Sequence, residues 1–558
     1  MVINSTLTIQ PENIQVVIPS NRNRPQSVPN LSSRSSKNSP DRSHNERKRH
    51  LHRQIFIPDK PPFINFSSSY INPYRTLTPI IINHNRRHRL KNKKHSKRKQ
   101  KKQNISNILI HEQENQIEEN SFSKQIIQNT NPIDLWPSDP NSFDMDFIRQ
   151  RQIAIDNTSY RETIHTWKPS SIDQLTTLIK DLIKDKNLID HVWVIFYWIS
   201  QNILYDIDGD IDHNHNQNLK QKSNEIFSLR KTTYDGYATI FKILCNDIGI
   251  ECITILGYAK DSHFQINQSK FSQINHIWNA VKLNDNHWYL IDTVLGSGYI
   301  DNKYKYKKHL NIHYFLTRSE YMIYSHLPND SQWQLLAKSI SMFDFFRLPY
   351  LHSYYFIYNL TLISPRFSSI VFFDKNESYA EVLIQAPNDV QLICSIKNDH
   401  KSTCLTQYDI SRQVWQCLFA PYKIGFHTLI IYANRLLISN SLINVIELGV
   451  DISLKDFLRK KIFPITFEKF IEYKCQIFSP LDGILKYGTK VTIHCRIPNA
   501  SYVRISLDGI WLEEMTLKHD IFKQQITVPQ REIIIYAQFN NKNLTNIYYG
   551  LIRYLVEK

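Results

Sequence analysis

The residues best suited to chemistry in this 558-residue chain are a histidine and an aspartate sixteen positions apart. His276 stands at the start of a strand-like segment at 277–283, and Asp292 lies near the end of the next one, at 287–293. The run Asn-Asp-Asn at 284–286 between them is a hairpin signal, so the two segments are predicted to pair antiparallel. His276 and Asp292 would then be neighbours across the pair. A histidine oriented by a carboxylate is the base half of a nucleophilic triad.

Four short motifs around these residues resemble the transglutaminase-like (papain-like) core, in particular that of the kyphoscoliosis peptidase type. The segments at 314–317 and 324–336 and the β-rich C-terminal part also resemble that family, so the resemblance covers about 135–558. It implies a Cys-His-Asp triad, in which His276 and Asp292 match the family's histidine and aspartate. The motifs are Tyr-Asp-Gly-Tyr-Ala at 234–238, Leu-Gly-Tyr-Ala-Lys at 256–260, His-Ile-Trp-Asn-Ala-Val at 276–281 and Trp-Tyr-Leu-Ile-Asp at 288–292.

The nucleophile does not match. The resemblance implies a cysteine at the helix N-terminus, where the helix dipole and a nearby imidazolium lower the pKa of a thiol, but this sequence has Tyr234 there. A phenol with a pKa of ~10 is only about 0.1% ionised at neutral pH, against a few per cent for an ordinary thiol. Cys245 lies a rise of ~16 Å further along the same helix, and Cys252 starts a predicted buried strand. Acyl transfer by the family mechanism is therefore predicted to be lost.

Without a nucleophile, the histidine and the aspartate need another role. His276 and Asp292 are predicted to form a buried hydrogen-bonded link between two strands, with residual hydrolysis or a binding contact as the alternatives. By analogy with the family, Trp198 would lie near the oxyanion region. The competing interpretation of Trp198 is an aromatic residue of the core.

A metal site is the second chemistry that the sequence raises. Aspartates alternate at 206, 208, 210 and 212, followed by histidines at 213 and 215, but an EF-hand loop needs glycine at its sixth position and glutamate at its twelfth. Counted from Asp206, these positions hold Ile211 and Gln217, so a solvated acidic loop is predicted instead. No histidine and cysteine cluster has zinc spacing. The sequence therefore predicts neither a metal nor another cofactor.

The elements that must position these residues begin with helices and continue with strands. Helical periodicity predicts helices at 173–184, 190–202 and 232–250, with a loop at 204–215. Strand-like segments follow at 251–258, 277–283 and 287–293, which makes this region α+β. From about residue 354 the helical pattern gives way to short alternating runs at 380–384, 390–396, 426–433, 490–497, 502–507 and 532–539.

Runs of this spacing are typical of β-sandwiches. A weak internal repeat supports two of them, because Pro421 is followed by Ile-Tyr-Ala at 431–433 and Pro529 by Ile-Tyr-Ala at 535–537. The predicted organisation is a disordered basic arm at 1–130, a transglutaminase-like domain at 131–353, and immunoglobulin-like sandwiches at 354–455 and 456–558. The fold class is thus an α+β core followed by two all-β sandwiches.

The net positive charge of the chain is concentrated in the predicted N-terminal arm, residues 1–130. Residues 1–130 hold 23 Lys and Arg against 8 Asp and Glu, whereas the other 428 residues hold 45 against 43. The run from Arg86 to Lys102 suits a nuclear-localisation signal, RNA, an acidic filament or an anionic membrane surface, or is a solvated arm with no specific partner. The near-neutral remainder disfavours a nucleic-acid-binding protein.

The location is predicted to be cytoplasmic. No apolar run reaches the ~18–20 residues that cross a bilayer, and the first ten residues lack the features of a signal peptide. Seven cysteines without a CxxC pair suit reduced thiols.

The function is predicted from these features together. Tyr234 at the nucleophile position predicts a non-catalytic protein. The resemblance implies that it acts as a cytoskeleton-associated interaction scaffold that binds protein partners. The alternative is an active cysteine-type peptidase or transglutaminase-like acyl transferase that uses a rearranged nucleophile.

Overall fold

The structure is a computed structural model, and it describes most of the chain from residue 131 onwards. The described residues are 15–17, 125–126, 131–211, 223–283, 287–301, 303–374, 378–399, 403–435, 441–453, 461–539 and 547–557. The predicted hairpin turn at 284–286, the run from Arg86 to Lys102 and the acidic segment after residue 211 lie outside these ranges.

The helices come mainly from the first half of the described region. In chain order they are α1 (Met145–Asp156), α2 (Thr158–Thr166), α3 (Ile172–Ile183), α4 (Leu188–Asn202), α5 (Ile207–Ile211), α6 (Ser223–Leu229), α7 (Tyr234–Asp247), α8 (Ser319–Met322), α9 (Met342–Arg347), α10 (Ser353–Ile357) and α11 (Glu468–Glu472).

The strands fall into three groups along the chain. The first group is β1 (Gln15–Val17), β2 (Leu204–Tyr205), β3 (Lys231–Thr232), β4 (Cys252–Ala259), β5 (His276–Lys282), β6 (Trp288–Ile291), β7 (Gly298–Ile300), β8 (Tyr306–Lys308) and β9 (His326–Pro328). The second is β10 (Tyr350–Leu351), β11 (Thr361–Ser364), β12 (Phe373–Asp374), β13 (Tyr379–Gln385), β14 (Val390–Ile396), β15 (Cys404–Asp409), β16 (Val414–Phe419), β17 (Gly425–Arg435) and β18 (Ile443–Ile452). The third is β19 (Ile465–Thr466), β20 (Gln476–Ser479), β21 (Ile484–Lys486), β22 (Lys490–Arg496), β23 (Ala500–Leu507), β24 (Ile510–Trp511), β25 (Ile521–Thr527), β26 (Glu532–Phe539) and β27 (Ile547–Glu557).

Several helices, α3 and α4 among them, begin at a capping side chain, whereas α7 has no side-chain cap. Ser171 accepts a hydrogen bond from the backbone N–H of Gln174 at the start of α3, and Asn187 accepts one from Asp190 at the start of α4. Residues of α4 are buried on almost every side, as its unbroken apolar run predicts. The predicted loop at 204–215 is wrong for residues 204–211. These form β2 and α5, because β2 pairs in parallel with β3 and thereby orders the segment.

The α+β region packs its helices against one antiparallel sheet. The strand order is β6-β5-β4-β9, so the predicted pairing of β5 with β6 is confirmed. The helix α7 packs against both β4 and β5 and against α4, and one apolar cluster runs through all of these elements. This layer arrangement places the N-terminus of α7 beside the start of β5.

The C-terminal half consists of two β-sandwiches, as predicted. The first pairs the sheet β10-β18-β17-β14 with the sheet β11-β13-β16-β15, and the second pairs β27-β26-β23-β24 with β20-β22-β25. The first sandwich takes in β10, which lies ahead of residue 354. The internal repeat falls on β17 and β26. In each, the register with the following strand shifts at the Ile-Tyr step, at Ile431 and Tyr432 and again at Ile535 and Tyr536.

The two sandwiches share a core. Leu405 and Leu418 of the first sandwich are buried in the apolar cluster of the second, together with Phe470 and Ile477. A side-chain contact reinforces this packing, because Ile477 donates its backbone N–H to the Oε1 atom of Gln407 at 2.9 Å. The two sandwiches are therefore packed together through buried side chains.

The arm contributes one short element to this half. Gln15–Val17 pairs antiparallel with Ile547, Tyr548 and Tyr549 at the edge of β27, which corrects the prediction of disorder for these three residues. An unpaired strand edge accepts such a segment through backbone hydrogen bonds alone, so a composition that predicts disorder does not exclude it. Within the described residues, no helix combines the length and the apolar character needed to cross a bilayer.

A buried lysine lies where the α+β region meets the first sandwich. Lys260 follows β4, is 1% exposed, and donates from Nζ to the carbonyl oxygen of Leu348 at 3.0 Å. The ammonium also lies 4.5 Å from the centroid of the Phe345 ring. Burial lowers the pKa of Lys260 from 10.5 to about 7, because the charged form loses its hydration.

The first prediction concerns this lysine. Between pH 7 and 10.5 the unfolded chain holds a proton on Lys260 that the folded chain releases, so the free energy of unfolding should rise with pH across this window. The full effect is on the order of 5 kcal/mol. We expect Lys260→Met to remove this rise, as measured by urea unfolding at pH 7, 8, 9 and 10. The matched control is Lys338→Met at an exposed position, which should keep the wild-type slope. A wild-type slope in Lys260→Met would contradict the prediction.

Candidate functional site

The first component of the site is the N-terminus of α7. Tyr234 is its first residue, and Thr233 precedes it in an extended conformation and forms a hydrogen bond with the side chain of Asp235. Gly236 is required by close packing, because a Cβ atom there would meet the Oγ1 atom of Thr232 at 1.9 Å. The Tyr-Asp-Gly motif thus lets the helix begin directly against β3.

The second component is the histidine–aspartate pair. His276 begins β5, Asp292 follows directly after β6, and the Nε2 atom of His276 lies 2.7 Å from the Oδ2 atom of Asp292. The other carboxylate oxygen, Oδ1, accepts the backbone N–H groups of Val294 at 2.8 Å and Leu295 at 3.0 Å. The aspartate side chain is fully buried and that of the histidine is 8% exposed. The pair is therefore held in one geometry and is almost excluded from water.

The third component is a second histidine. The Nε2 atom of His326 lies 2.9 Å from the same Oδ2 atom of Asp292, and its Nδ1 atom lies 2.8 Å from the Oγ atom of Ser325. His326 was not among the site residues predicted from the sequence. It lies 34 residues after Asp292, on a three-residue strand, and no motif relates the two positions by their spacing. The one feature of the sequence that could have pointed to His326 is its place in the segment 324–336, which resembles the family.

The strand β4 sets the distance between the two histidines. Gly257 pairs with His276 on one side and with Pro328 on the other, while Ala259 pairs with His326. A Cβ atom on Gly257 would meet the carbonyl oxygen of Leu327 at 2.4 Å, so a larger residue would push β9 away. This glycine allows both imidazoles to reach one carboxylate.

The electrostatics follow from this arrangement. Burial by itself would raise the pKa of the Asp292 carboxyl, but the charge of His276 and hydrogen bonds from His276 and His326 hold it well below its usual value. Burial lowers the pKa of His326, and its hydrogen bond to Asp292 only partly opposes this. The aspartate is therefore ionised at neutral pH, and the second imidazole favours its neutral form.

Tyr234 faces the pair from α7. Its ring centroid lies 6.0 Å from that of His276, with an angle of 55° between the ring planes, and its side chain is half-buried against the main apolar cluster. The structure therefore brings together Tyr234, His276 and Asp292, which the sequence analysis had placed in one site.

Comparisons with known proteins identify the family of two regions of the chain. Residues 177–293 match the model of the transglutaminase-like superfamily, and residues 342–453 match that of the KY-like, immunoglobulin-like domain. The chain contains a transglutaminase-like domain.

Among its relatives, kyphoscoliosis peptidase of Homo sapiens is 28% identical over 311 residues, which is 55% of this chain and 45% of the relative. Lim and transglutaminase domain protein ltd-1 of Caenorhabditis elegans is 33% identical over 164 residues, 27% of this chain and 22% of the relative. Cytokinesis protein 3 of Saccharomyces cerevisiae is 29% identical over 181 residues, 30% of this chain and 20% of the relative. The chain spans less than half the length of these curated relatives.

Two other residues considered in the sequence analysis have contacts of their own. Trp198 of the transglutaminase-like domain is fully buried, stacks on Phe227 at 5.8 Å and lies under the guanidinium of Arg230 at 4.8 Å. These contacts belong to the core, and its oxyanion role stays a prediction. In the acidic segment, Asp206 pairs with Lys231 at 2.7 Å, so its carboxylate is engaged by an ammonium.

The second prediction concerns the buried carboxylate. Asp292→Ala leaves two imidazole nitrogens and two backbone N–H groups without their acceptor, and we expect it to lower the free energy of unfolding by roughly 3–5 kcal/mol. The measurement is urea unfolding at pH 7. The matched control is Glu251→Ala, which removes an exposed ion pair with Lys282 and should cost less than about 1 kcal/mol. Equal losses in the two variants would show that the network does not stabilise the domain.

Proposed function

We propose that this protein is a non-catalytic member of the kyphoscoliosis peptidase type and acts as an interaction scaffold of the cytoskeleton. The observation that carries the proposal is the position of Tyr234. It opens α7 and faces His276 at a ring distance of 6.0 Å, where the family resemblance implies the nucleophilic cysteine. A phenol at this place is mostly neutral at pH 7, and its oxygen lies several ångströms farther from Cα than a sulfur would.

The positions of the cysteines support the loss of catalysis. All seven cysteines lie in the described part of the chain, and none of them is at the N-terminus of α7. Cys245 and Cys252 lie near the far end of α7 and at the start of β4, where burial raises the pKa of the Cys245 thiol. The other five lie in the two sandwiches or, for Cys475, immediately before β20. No thiol in the described ranges replaces the one that residue 234 lacks.

The scaffold role is supported by the architecture and by the relatives. The two sandwiches share a buried core and present extended sheet surfaces beside the transglutaminase-like domain. One relative carries the name cytokinesis protein 3. For this chain we propose cytoskeletal protein partners and a cytoplasmic location. From the basic run between Arg86 and Lys102 we further propose that the arm binds an anionic surface or directs nuclear import.

The alternative function is an active peptidase or acyl transferase with a rearranged nucleophile. It is favoured by the intact His276–Asp292 pair, whose 2.7 Å contact is the base half of a working triad. Activity of the wild-type protein on peptide or glutamine substrates, abolished by His276→Ala, would establish this alternative and refute the proposal.

The third prediction tests the lost nucleophile. Tyr234→Cys places a thiol at the first position of α7 beside His276, so it should acquire an iodoacetamide-reactive thiol with a depressed pKa. The wild-type protein should show no labelling at this site. The measurement is the pH dependence of the alkylation rate, followed by peptide mapping.

The matched control for this experiment is Leu188→Cys. Leu188 is the first residue of α4, also half-buried, so its thiol receives a helix dipole without the His276–Asp292 pair. We expect Tyr234→Cys to react at least tenfold faster than Leu188→Cys at pH 6, and Tyr234→Cys combined with His276→Ala to lose this difference. Equal rates in the two single variants would show that the pair does not activate a thiol at residue 234.

The fourth prediction tests the scaffold role. The purified full chain should co-sediment with actin filaments or microtubules, and His276→Ala should bind equally because no chemistry is involved. Absence of the chain from both filament pellets at physiological salt would argue against a direct cytoskeletal partner. Binding that vanishes when residues 86–102 are replaced by a neutral sequence would assign it to the basic arm rather than to the folded domains.

A further inference from the structure

The geometry points to a divalent transition-metal site formed by His276, Asp292 and His326. The ligand atoms of the three residues all lie within 4.8 Å of one another, and all three residues are buried. Two imidazole nitrogens and one carboxylate oxygen suit Zn²⁺, Co²⁺ or Fe²⁺, and three protein ligands leave a further coordination position open. The inference goes beyond the proposed function and does not depend on the loss of the nucleophile.

The three ligand atoms converge on one point. Both histidines present Nε2 to the same Oδ2 atom of Asp292, at 2.7 Å and 2.9 Å. These distances are those of hydrogen bonds, in which protons occupy the space between the atoms. A metal ion that replaces the protons holds each ligand atom at ~2.0–2.2 Å, which separates nitrogen from oxygen by about 3.0–3.4 Å. The site therefore needs to open by roughly half an ångström at each contact when an ion binds.

The outer atoms of the ligands are already held. Ser325 contacts the Nδ1 atom of His326 at 2.8 Å, and two backbone N–H groups bind the Oδ1 atom of Asp292. Partners of this kind orient the ligands in metal sites and fix which imidazole nitrogen is available. Here they leave Nε2 and Oδ2 as the atoms that face the centre.

The surroundings favour a bound ion. Trp278 packs against both imidazoles, with ring centroids 6.0 Å from His276 and 5.0 Å from His326. The carboxylate is fully buried, so an ion beside it is attracted in a medium of low effective dielectric constant. The ligands also come from three separate segments, at the starts of β5 and β9 and after β6, so a metal ion would join them.

The fifth prediction tests this site with Co²⁺, whose visible absorption reports its coordination. The purified full chain is stripped with a chelator and titrated with Co²⁺, followed by displacement with Zn²⁺. We expect one equivalent of Co²⁺ with visible bands in the wild-type protein, and at least a tenfold weaker affinity in His326→Gln. The matched control is His313→Gln, which removes another buried histidine of the same region that is outside the group and should keep the wild-type spectrum.

The possible outcomes separate the inference from simpler explanations. Equal Co²⁺ binding by the wild-type protein and His326→Gln would mean an adventitious ion on surface histidines only, and would overturn the proposal. Absence of binding by folded wild-type protein would overturn it as well. Circular dichroism of the metal-free variants establishes that they fold, and if His326→Gln does not, His276→Gln at the rim of the site replaces it. Thiol labelling at residue 234 judges the proposed function separately.

Discussion

The carboxylate of Asp292 is the interaction on which the site depends. One of its oxygens receives two backbone N–H groups of its own loop, and the other meets the imidazoles of His276 and His326. Because it is fully buried, each of these four contacts compensates part of the cost of removing a charge from water. The contacts also join the end of β6 to the starts of β5 and β9. A change in the carboxylate therefore affects three segments of the sheet.

This arrangement gives the histidine–aspartate pair hydrogen-bond partners that do not include Tyr234. In an active triad the aspartate orients the histidine, and the histidine takes the proton of the thiol. In this structure the same hydrogen bonds hold the sheet together, and Gly257 keeps the two neighbouring strands close enough for both imidazoles to reach one oxygen. These hydrogen bonds join the strands without any contribution from residue 234.

The C-terminal half combines an internal repeat with a core that its two sandwiches share. In both sandwiches the strand register shifts at the Ile-Tyr step of the internal repeat. The two repeats therefore share this irregularity in strand pairing as well as their apolar pattern. The sandwiches nonetheless do not pack as independent units. Leu405 and Leu418, which face away from the first core, are buried in the second. Two sandwiches joined in this way resist bending relative to each other, because bending would expose apolar surface.

Local information in the sequence determined the helices α3, α4 and α7, most of the long strands and the place of His276 and Asp292 in one hairpin. Periodicity, capping residues and a separation of sixteen positions are short-range signals, and the antiparallel pairing of β5 with β6 follows from them. The sequence also determined that residue 234 is a tyrosine beside a histidine–aspartate pair. Three features were decided by the tertiary structure alone. His326 binds the same carboxylate oxygen as His276, and Leu405 and Leu418 are buried in the core of the neighbouring sandwich. Gln15–Val17 pairs with the edge of β27. Each of these contacts joins residues far apart in the chain, and they form because packing and backbone hydrogen bonding bring distant segments together, which no local pattern of residues records.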